Sequence, residues 1–338
     1  MTADRVEAVF GGRQGGAPAL KRFLRVVTEL WGSPRVRAAV KVLVVAFALG
    51  MTGVAGWRFS SSGWPFSHGK PLLIGAAGLL FLVAYPVKAW GWRRLFAPAE
   101  RPKTSALAAA GGAASVTGVA LPGRFDDVVR VAVVRRCPNC PAGVRALAFS
   151  LFALGLIDAI ALTPLASTSA ALTSSTTVRV ALALVAAAGV AAAAVLIVLP
   201  RLMACGRLIR FRLARWLHER SPCAREVGKA AVLVHASWLV RVAGVLLLLG
   251  GLGLGLSLPL AMLFLCAGAA SAALPVGPAG AATQAGGGAV ILIASGVTAS
   301  AAVDFALATQ ALAVMAGAAV VLATLVWHGS RRLVFRTA

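Results

Sequence analysis

Long apolar runs constrain the fold of this chain more than any other feature. A helix needs about 20 apolar residues to cross the ~30 Å hydrocarbon core of a bilayer. Runs of that length occupy residues 38–57, 71–92, 143–165, 176–199, 230–256 and 300–327. A helix pairs its own backbone N–H and C=O groups, which a chain inside the hydrocarbon core must do. Because each run is long enough to cross as a helix, the sequence predicts an all-α, polytopic transmembrane helix bundle.

Two further apolar stretches contain helix-breaking residues. Residues 104–122 and 257–297 are rich in Gly, Ala, Ser and Pro, and each breaks at a Pro-Gly or Gly-Pro element. Irregular backbone in a membrane is tolerated only inside protein or beside a water-filled cavity. We therefore expect two broken or re-entrant segments, which brings the bundle to about seven to nine membrane segments. The residues assigned to the two breaks are Pro122, Gly123, Pro275, Pro278, Gly280 and Gln284.

The composition excludes a soluble domain, because 59% of the residues are hydrophobic, 13% are charged and the mean hydropathy is +0.88. A net charge of +23 would indicate nucleic acid as the partner of a soluble protein. Here the basic residues fall in alternate loops, which is a topology signal. It predicts a membrane protein with both termini cytoplasmic and with membrane lipids, not nucleic acid, as partners. The basic segments are residues 1–41, 88–103, 124–145, 200–229 and the C-terminal tail.

The same pattern divides the chain into parts. Residues 1–37 read as a basic cytoplasmic segment, with no cleavable signal peptide, and residues 38–327 as the transmembrane domain. Within that domain, residues 200–229 alternate basic and apolar side chains, which predicts a helix lying in the cytoplasmic interface. An ordinary basic loop is the alternative. Residues 328–338 are a cytoplasmic tail.

Charged residues cluster beside the first break. Arg124, Asp126, Asp127 and Arg130 directly follow Pro122 and Gly123. Arginines bind phosphate oxygens, and aspartates can hold the arginines in place or bind a cationic group. We expect these four residues to bind a lipid headgroup.

Single charges also lie within the apolar runs. Asp158, Arg241 and Asp304 would each cost about 2.5–3.5 kcal/mol at a helix centre unless paired or solvated. We expect Arg241 to pair with Asp158 or Asp304. Such charges either fix the bundle as a salt bridge or line a polar pathway, and the sequence leaves both open.

Other motifs carry less chemistry. Cys137 and Cys140 form a Cys-x-x-Cys pair, but a zinc site needs further ligands at matching spacing, so a tight turn is the better reading. The glycine-rich residues 250–255 and 286–288 lack the flanking strand and the Lys and Ser or Thr of a phosphate loop, and we expect them to allow close helix packing. The four histidines are scattered. We expect no metal, no cofactor and no enzymatic activity.

At its broken segments the chain resembles the transmembrane, flippase-like region of the lysylphosphatidylglycerol synthase family. That family has a Leu-Pro-Gly-Arg-x-Gly-Glu-x-x-Arg-like motif, and a later Pro-rich motif followed by Gly-Val. The residues that match are Leu121, Pro122, Gly123, Arg124, Asp127, Arg130, Pro275, Pro278, Gly280, Gly296 and Val297. Asp158 is similar to an aspartate of a third family element.

The resemblance implies a protein that moves or binds a phospholipid or polyprenyl-linked lipid across the membrane, here without the family's soluble aminoacyl transferase domain. Ala285 and Gln310 stand at positions that are charged in the family. Loss of those charges favours the alternative of a transport-inactive binding or scaffold protein of the same fold. A membrane-embedded transferase acting on a lipid carrier is a further alternative. The lipid, the energy source and a homo-oligomeric state stay open.

Overall fold

Long apolar helices make up most of the chain that the computed structural model describes, which is residue 66 and residues 69–118, 125–137, 140–173, 175–203, 223–273 and 280–334. Within those ranges there are α-helices, one short 3-10 turn and no strand, so the predicted all-α class is confirmed there. The α-helices are α1 Pro71–Arg93, α2 Thr104–Thr117, α3 Phe125–Arg136, α4 Val144–Leu172, α5 Thr176–Met203, α6 Ala224–Gly251, α7 Leu258–Ala273, α8 Gly280–Ala294 and α9 Ala299–Val334.

Five of these helices, α1, α4, α5, α6 and α9, contain stretches long and apolar enough to cross a membrane. They correspond to the predicted runs from residue 71 onward, and they support a membrane protein. The described residues all belong to one unit, Gly53–Ala338. The predicted run at 38–57, the four residues from Leu121 to the motif's first arginine, the two prolines of the second break and residues 204–222 of the basic loop lie outside the described residues.

Helices α1 and α6 form an antiparallel pair at the centre of the bundle. At one end, the Lys70 backbone N–H donates to the Gly251 carbonyl at 2.8 Å. At the other end, Gly91 lies so close to α6 that a Cβ on it would sit 3.1 Å from the Ala230 carbonyl oxygen. Gly251 at one end and Gly91 at the other thus let α1 and α6 approach closely, and these contacts fix the register of the pair.

Helices α2 and α3 form a short pair beside α1, and α7 and α8 form a second short pair. The helices have 14, 12, 16 and 15 residues respectively. At 1.5 Å per residue they extend about 18–24 Å, less than the ~30 Å needed to cross. In the second pair Gly287 packs on Ser271 and Gly288 on the Phe264 ring, which confirms close packing for these glycines.

The last helix is positioned by two glycine contacts. Gly296 ends α8 with φ +91°, and the N–H groups of Gly296 and Val297 donate to the carbonyls of Ile293 and Leu292, a Schellman cap. Further along α9, a Cβ on Gly317 would lie 2.8 Å from the Gly112 carbonyl oxygen on α2. The middle of α2 is therefore packed backbone to backbone against α9.

Helices α1 and α4 each continue through an internal proline. Pro86 lies inside α1 and Pro164 inside α4. A proline has no N–H, so the carbonyl four residues earlier loses its helical partner. The predicted end of the third run at residue 165 was too early, because α4 continues beyond Pro164 to Leu172.

One sequence-based assignment was wrong. The basic residue Lys88 was placed in the cytoplasmic loop 88–103, but it lies within α1, which ends at Arg93. Helix α6 likewise begins at Ala224, six residues before the predicted run, because its first turn is polar yet helical.

Candidate functional site

Charged and aromatic side chains from three helices meet inside the bundle. They are Tyr85 and Lys88 on α1, Asp158 on α4, and Trp238 and Arg241 on α6, and we call them the interior cluster. Lys88 Nζ lies 2.8 Å from Asp158 Oδ2. The Trp238 indole N–H donates to Asp158 Oδ1 at 2.9 Å. Both oxygens of this carboxylate are therefore engaged, each by a different helix.

Helical spacing explains why Lys88 points inward. Phe81, Tyr85 and Trp92 on the same helix are buried. Lys88 lies seven residues after Phe81, three after Tyr85 and four before Trp92. Residues at such spacings share one face of a helix. The Cα–Cβ bond tilts toward the helix N-terminus, so the lysine reaches away from the Arg93 end, toward the middle of the span.

Arg241 lies against aromatic rings instead of an acid. Its guanidinium carbon is 5.4 Å from the Trp238 ring centroid and 5.7 Å from that of Tyr85. Its Nε is buried and has no hydrogen-bond partner in the structure. No acidic side chain within the described ranges forms a salt bridge with it.

The expected pairing of Arg241 with Asp158 or Asp304 is therefore corrected. Asp158 pairs with Lys88, because antiparallel packing of α1 on α6 brings Lys88 level with Trp238. Arg241 follows Trp238 by three residues, one turn further along α6, and the indole occupies the place that faces the carboxylate.

The Tyr85 ring is fixed by two other helices. Its hydroxyl forms hydrogen bonds with Ser115 Oγ on α2 at 2.6 Å and with the Ala313 carbonyl on α9 at 2.9 Å. The Tyr85 ring, against which Arg241 lies, is thus fixed at the place where α2 packs on α9.

The charges on α3 form their own cluster. Arg130 NH2 lies 3.1 Å from Asp126 Oδ2, and Arg130 NH1 lies 2.6 Å from Asp127 Oδ1. Both aspartates are in the first helical turn, where the helix dipole favours negative charge. The expectation that aspartates would hold an arginine fits this geometry for Arg130. Arg124 lies outside the described residues.

The α3 cluster and the interior cluster are electrostatically linked. Lys88 interacts not only with Asp158 but also with the charges of Arg241 and Arg130. Three cations from three helices therefore lie within electrostatic range of one another.

Comparison of the chain with protein-family models, with characterised proteins and with solved structures finds no match. The function has to be argued from the geometry.

Other site candidates are placed apart from the interior cluster. Asp304 is half-buried in the second turn of α9 and forms no salt bridge with the described residues. Gly280 is the first residue of α8, and Gln284 is exposed on that helix rather than in the break. Gln310 is half-buried on α9.

His235 lies on the same helix as Trp238 but bonds to backbone. Its Nδ1 is 2.8 Å from the Ala161 carbonyl oxygen on α4. Since a carbonyl only accepts, Nδ1 carries the proton in this contact. This contact joins α6 to α4 one residue after Ile160, whose carbonyl loses its helical donor at Pro164.

A second charged group ties the ends of α1 and α6 together. Glu226 accepts from Arg94 at 3.3 Å and from Arg101 at 2.8 Å, and Lys229 lies 3.5 Å away. The sequence analysis did not single out this acid. Its position in the first turn of α6, opposite a basic loop, was the available signal.

The Cys-x-x-Cys pair lies between α3 and α4. Cys137 and Cys140 are both free thiols, and burial, followed by the neighbouring Cys140, raises the pKa of the Cys137 thiol. A metal site needs thiolates. No group of three His, Cys, Asp or Glu side chains that could hold a metal occurs in the described part of the chain.

The arrangement can accept an anion. In the interior cluster, Lys88 is compensated by Asp158, whereas the contacts of the Arg241 guanidinium within the described residues are with the Tyr85 and Trp238 rings. A guanidinium presents five N–H donors in a planar fork suited to phosphate or carboxylate oxygens. The site thus has one unmatched positive charge inside an apolar bundle.

Proposed function

We propose that this chain is an integral membrane protein that binds the anionic headgroup of a lipid at the interior cluster and carries that lipid between the leaflets. The observation that supports this most strongly is Arg241, whose Nε is buried and unpartnered among membrane-spanning helices. The lipid would be a phospholipid or a polyprenyl-linked molecule.

An unpaired charge inside a membrane raises the free energy of the folded protein. A guanidinium at the centre of a spanning helix costs about 2.5–3.5 kcal/mol on insertion scales. The rings of Tyr85 and Trp238 offset part of this, at about 0.5–2 kcal/mol for each cation–π contact. An anionic headgroup would supply the missing counterion and accept charge-assisted hydrogen bonds. Lys88 and Arg130 are already paired with aspartates, so Arg241 is the cation left for the headgroup.

The short helix pairs suit a lipid path. We propose that α2–α3 and α7–α8 are re-entrant pairs that enter from opposite faces of the membrane, which gives the seven to nine segments expected from the sequence. Interrupted segments of this kind commonly flank substrate sites in transporters. The contact of Ser115, near the end of α2, with Tyr85 supports a path that reaches the interior cluster from the α2–α3 side.

The resemblance to the lysylphosphatidylglycerol synthase transmembrane family agrees with this proposal. Asp127 and Arg130, which match the family's first motif, lie on α3 and are bonded to each other. We propose membership of that family on these residues, with Arg124 completing the headgroup contacts.

Topology follows from the basic loops. We propose the bacterial cytoplasmic membrane, with both termini and residues 204–222 in the cytoplasm. In a cysteine-free background of intact cells, an impermeant thiol reagent should label Ser62→Cys and leave Ser221→Cys unlabelled. The reverse labelling would overturn the orientation.

Lipid binding is tested by exchanging one arginine. The protein would be reconstituted in phosphatidylcholine vesicles that contain spin-labelled phosphatidylglycerol. We expect the parent to immobilise the label and to speed its transfer between leaflets, and Arg241→Gln to lose both. Arg145→Gln, an exposed arginine at the start of α4, is the matched control and should behave as the parent. Equal immobilisation by all three proteins would remove the interior cluster as the binding site.

The α3 cluster is tested in the same vesicles. Arg124→Ala and Arg130→Ala should each reduce retention of the label, whereas Arg201→Ala at the end of α5 should have little effect. Full retention of the labelled lipid by the first two variants would show that the family motif does not take part in lipid binding.

A binding or scaffold protein without transport is the second candidate. Ala285 and Gln310 are uncharged at positions that are charged in the resembled family, and that observation favours it. This reading predicts immobilised label with no acceleration of leaflet transfer.

A further inference from the structure

We infer that Asp158 couples binding of the anionic headgroup to uptake of one proton, so that anion and proton enter the interior cluster together. The inference rests on the proposed anion site and adds a second substrate, the proton. Asp158 and an anion bound beside Arg241 would compete for the same cation, Lys88.

Asp158 is the built-in counterion of Lys88. Its Oδ2 lies 2.8 Å from the ammonium, and its Oδ1 accepts the Trp238 indole N–H. The Lys88 and Asp158 side chains are 22% and 23% exposed, so the pair is not sealed from its surroundings. While the pair is intact, the charge of the ammonium is compensated by Asp158, which weakens its attraction for a second anion.

Trp238 brings the two cations into one site. Lys88 Nζ lies 5.5 Å from the centroid of its ring and the Arg241 guanidinium carbon 5.4 Å. An anion that approaches Arg241 therefore also comes under the influence of Lys88 and Asp158. Lys88 attracts this anion and Asp158 repels it.

Protonation of Asp158 removes the competitor without dismantling the site. A proton from the aqueous phase adds to Oδ2, and Lys88 is released as a free ammonium. Oδ1 remains an acceptor for Trp238, because a carboxylic acid keeps acceptor capacity. Lys88 and Arg241 then both face the ligand.

The charges balance over the cycle. Lys88, Arg241 and ionised Asp158 carry a net charge of +1, which rises to +2 when the carboxylate takes up a proton. A ligand with one negative charge returns the net charge to +1. The empty and loaded clusters thus carry equal charge, and loss of the proton restores the Lys88–Asp158 pair and expels the anion.

Other titratable or charged groups lie on the elements packed against α4. From α6 these are Arg241 and His235, and the latter is committed to the Ala161 carbonyl. From α3, Arg130 is already held by two aspartates. On α7, Cys266 is a buried thiol, and the described arginines of α5, Arg179 and Arg201, lie near its two ends. Asp158 is therefore the carboxylate among them that is shared with an interior cation.

The first measurement uses the unmodified protein. Dihexanoyl phosphatidylglycerol, a short-chain anionic lipid, is titrated into the protein in weakly buffered phosphatidylcholine nanodiscs with a pH-sensitive dye. We expect proton uptake that saturates with binding, and an affinity that tightens by up to about tenfold per pH unit as the pH falls, the limit for one linked proton. Dihexanoyl phosphatidylcholine should give no uptake. Dimethyl phosphate, a phosphodiester monoanion that does not titrate in this pH range, is the second arm, and uptake with it would support the coupling and show that the acyl chains are not required.

Variants assign the proton to one residue. Asp158→Asn keeps an acceptor for Trp238 and frees Lys88, so it should bind the lipid with an affinity that no longer depends on pH. Asp304→Asn and His235→Gln should keep the pH dependence of the parent. Loss of that dependence in His235→Gln, with its retention in Asp158→Asn, would overturn the inference.

Failure of the two proposals can be told apart. If the parent binds neither anion at any pH, the proposed lipid site is wrong. If the parent binds phosphatidylglycerol with unchanged affinity between about pH 5 and pH 8 and takes up no proton, the anion site stands and the coupling is wrong.

Discussion

The Lys88–Asp158 pair makes a quantitative prediction about stability. Removing one member of a buried ion pair leaves the other uncompensated, at a cost of about 3–5 kcal/mol when fully buried. Both side chains here are about one fifth exposed, so we expect a loss of about 2–3 kcal/mol for Lys88→Met. Asp158→Leu should cost about 1 kcal/mol more, because the Trp238 indole N–H also loses its acceptor.

A double-mutant cycle isolates the pair. In the double variant no charge is left uncompensated, so we expect it to recover about 2 kcal/mol relative to the sum of the single losses. The assay is the thermal loss of helical circular dichroism in detergent, in which 1 kcal/mol corresponds to about 1–2 °C for a chain of this length. The matched cycle of Arg241→Met with Asp158→Leu should show little coupling. Stronger coupling of Asp158 to Arg241 than to Lys88 would refute the pairing.

Two other features of the described chain make further predictions. Gly317→Ala should lower thermal stability by about 1–3 kcal/mol, because its Cβ would meet the Gly112 carbonyl, whereas Gly75→Ala, with open space around it, should be neutral or stabilising. Because burial raises the pKa of Cys137, its thiolate fraction at a given pH is reduced, so maleimide should modify it more slowly than the exposed Cys223, with the difference narrowing as the pH rises. Faster reaction of Cys137 would contradict the assignment.

Much of the fold followed from the sequence because spanning helices are governed by length and hydrophobicity. The helices near residues 71, 143, 176, 230 and 300 all appear, with ends that differ by up to seven residues. Those differences arise where packing or capping extends a helix beyond its apolar run. The polar first turn of α6, where Glu226 binds two arginines, and the continuation of α4 beyond Pro164 are the clearest cases.

The site was less predictable, because the register of the packed helices determines which charged residues form a pair. Asp158 and Arg241 stood out as charges within apolar runs, but their partners depended on the antiparallel register of α1 on α6. Lys88 was missed because it lies five residues before the end of its helix and resembles the start of a basic loop. Its helical spacing from Phe81 and Tyr85, both buried, was the signal that could have identified it.

The order of the charges along the chain has a consequence for biosynthesis. Lys88 is synthesised before Asp158, whereas Arg241 follows Asp158 by 83 residues. At about 5–20 residues per second, a ribosome needs roughly 4–17 seconds to make that stretch. A carboxylate that depended on Arg241 would wait that long in the membrane uncompensated. By pairing with Lys88, Asp158 meets its partner as soon as α4 emerges, so the first half of the bundle can insert with its acid already neutralised.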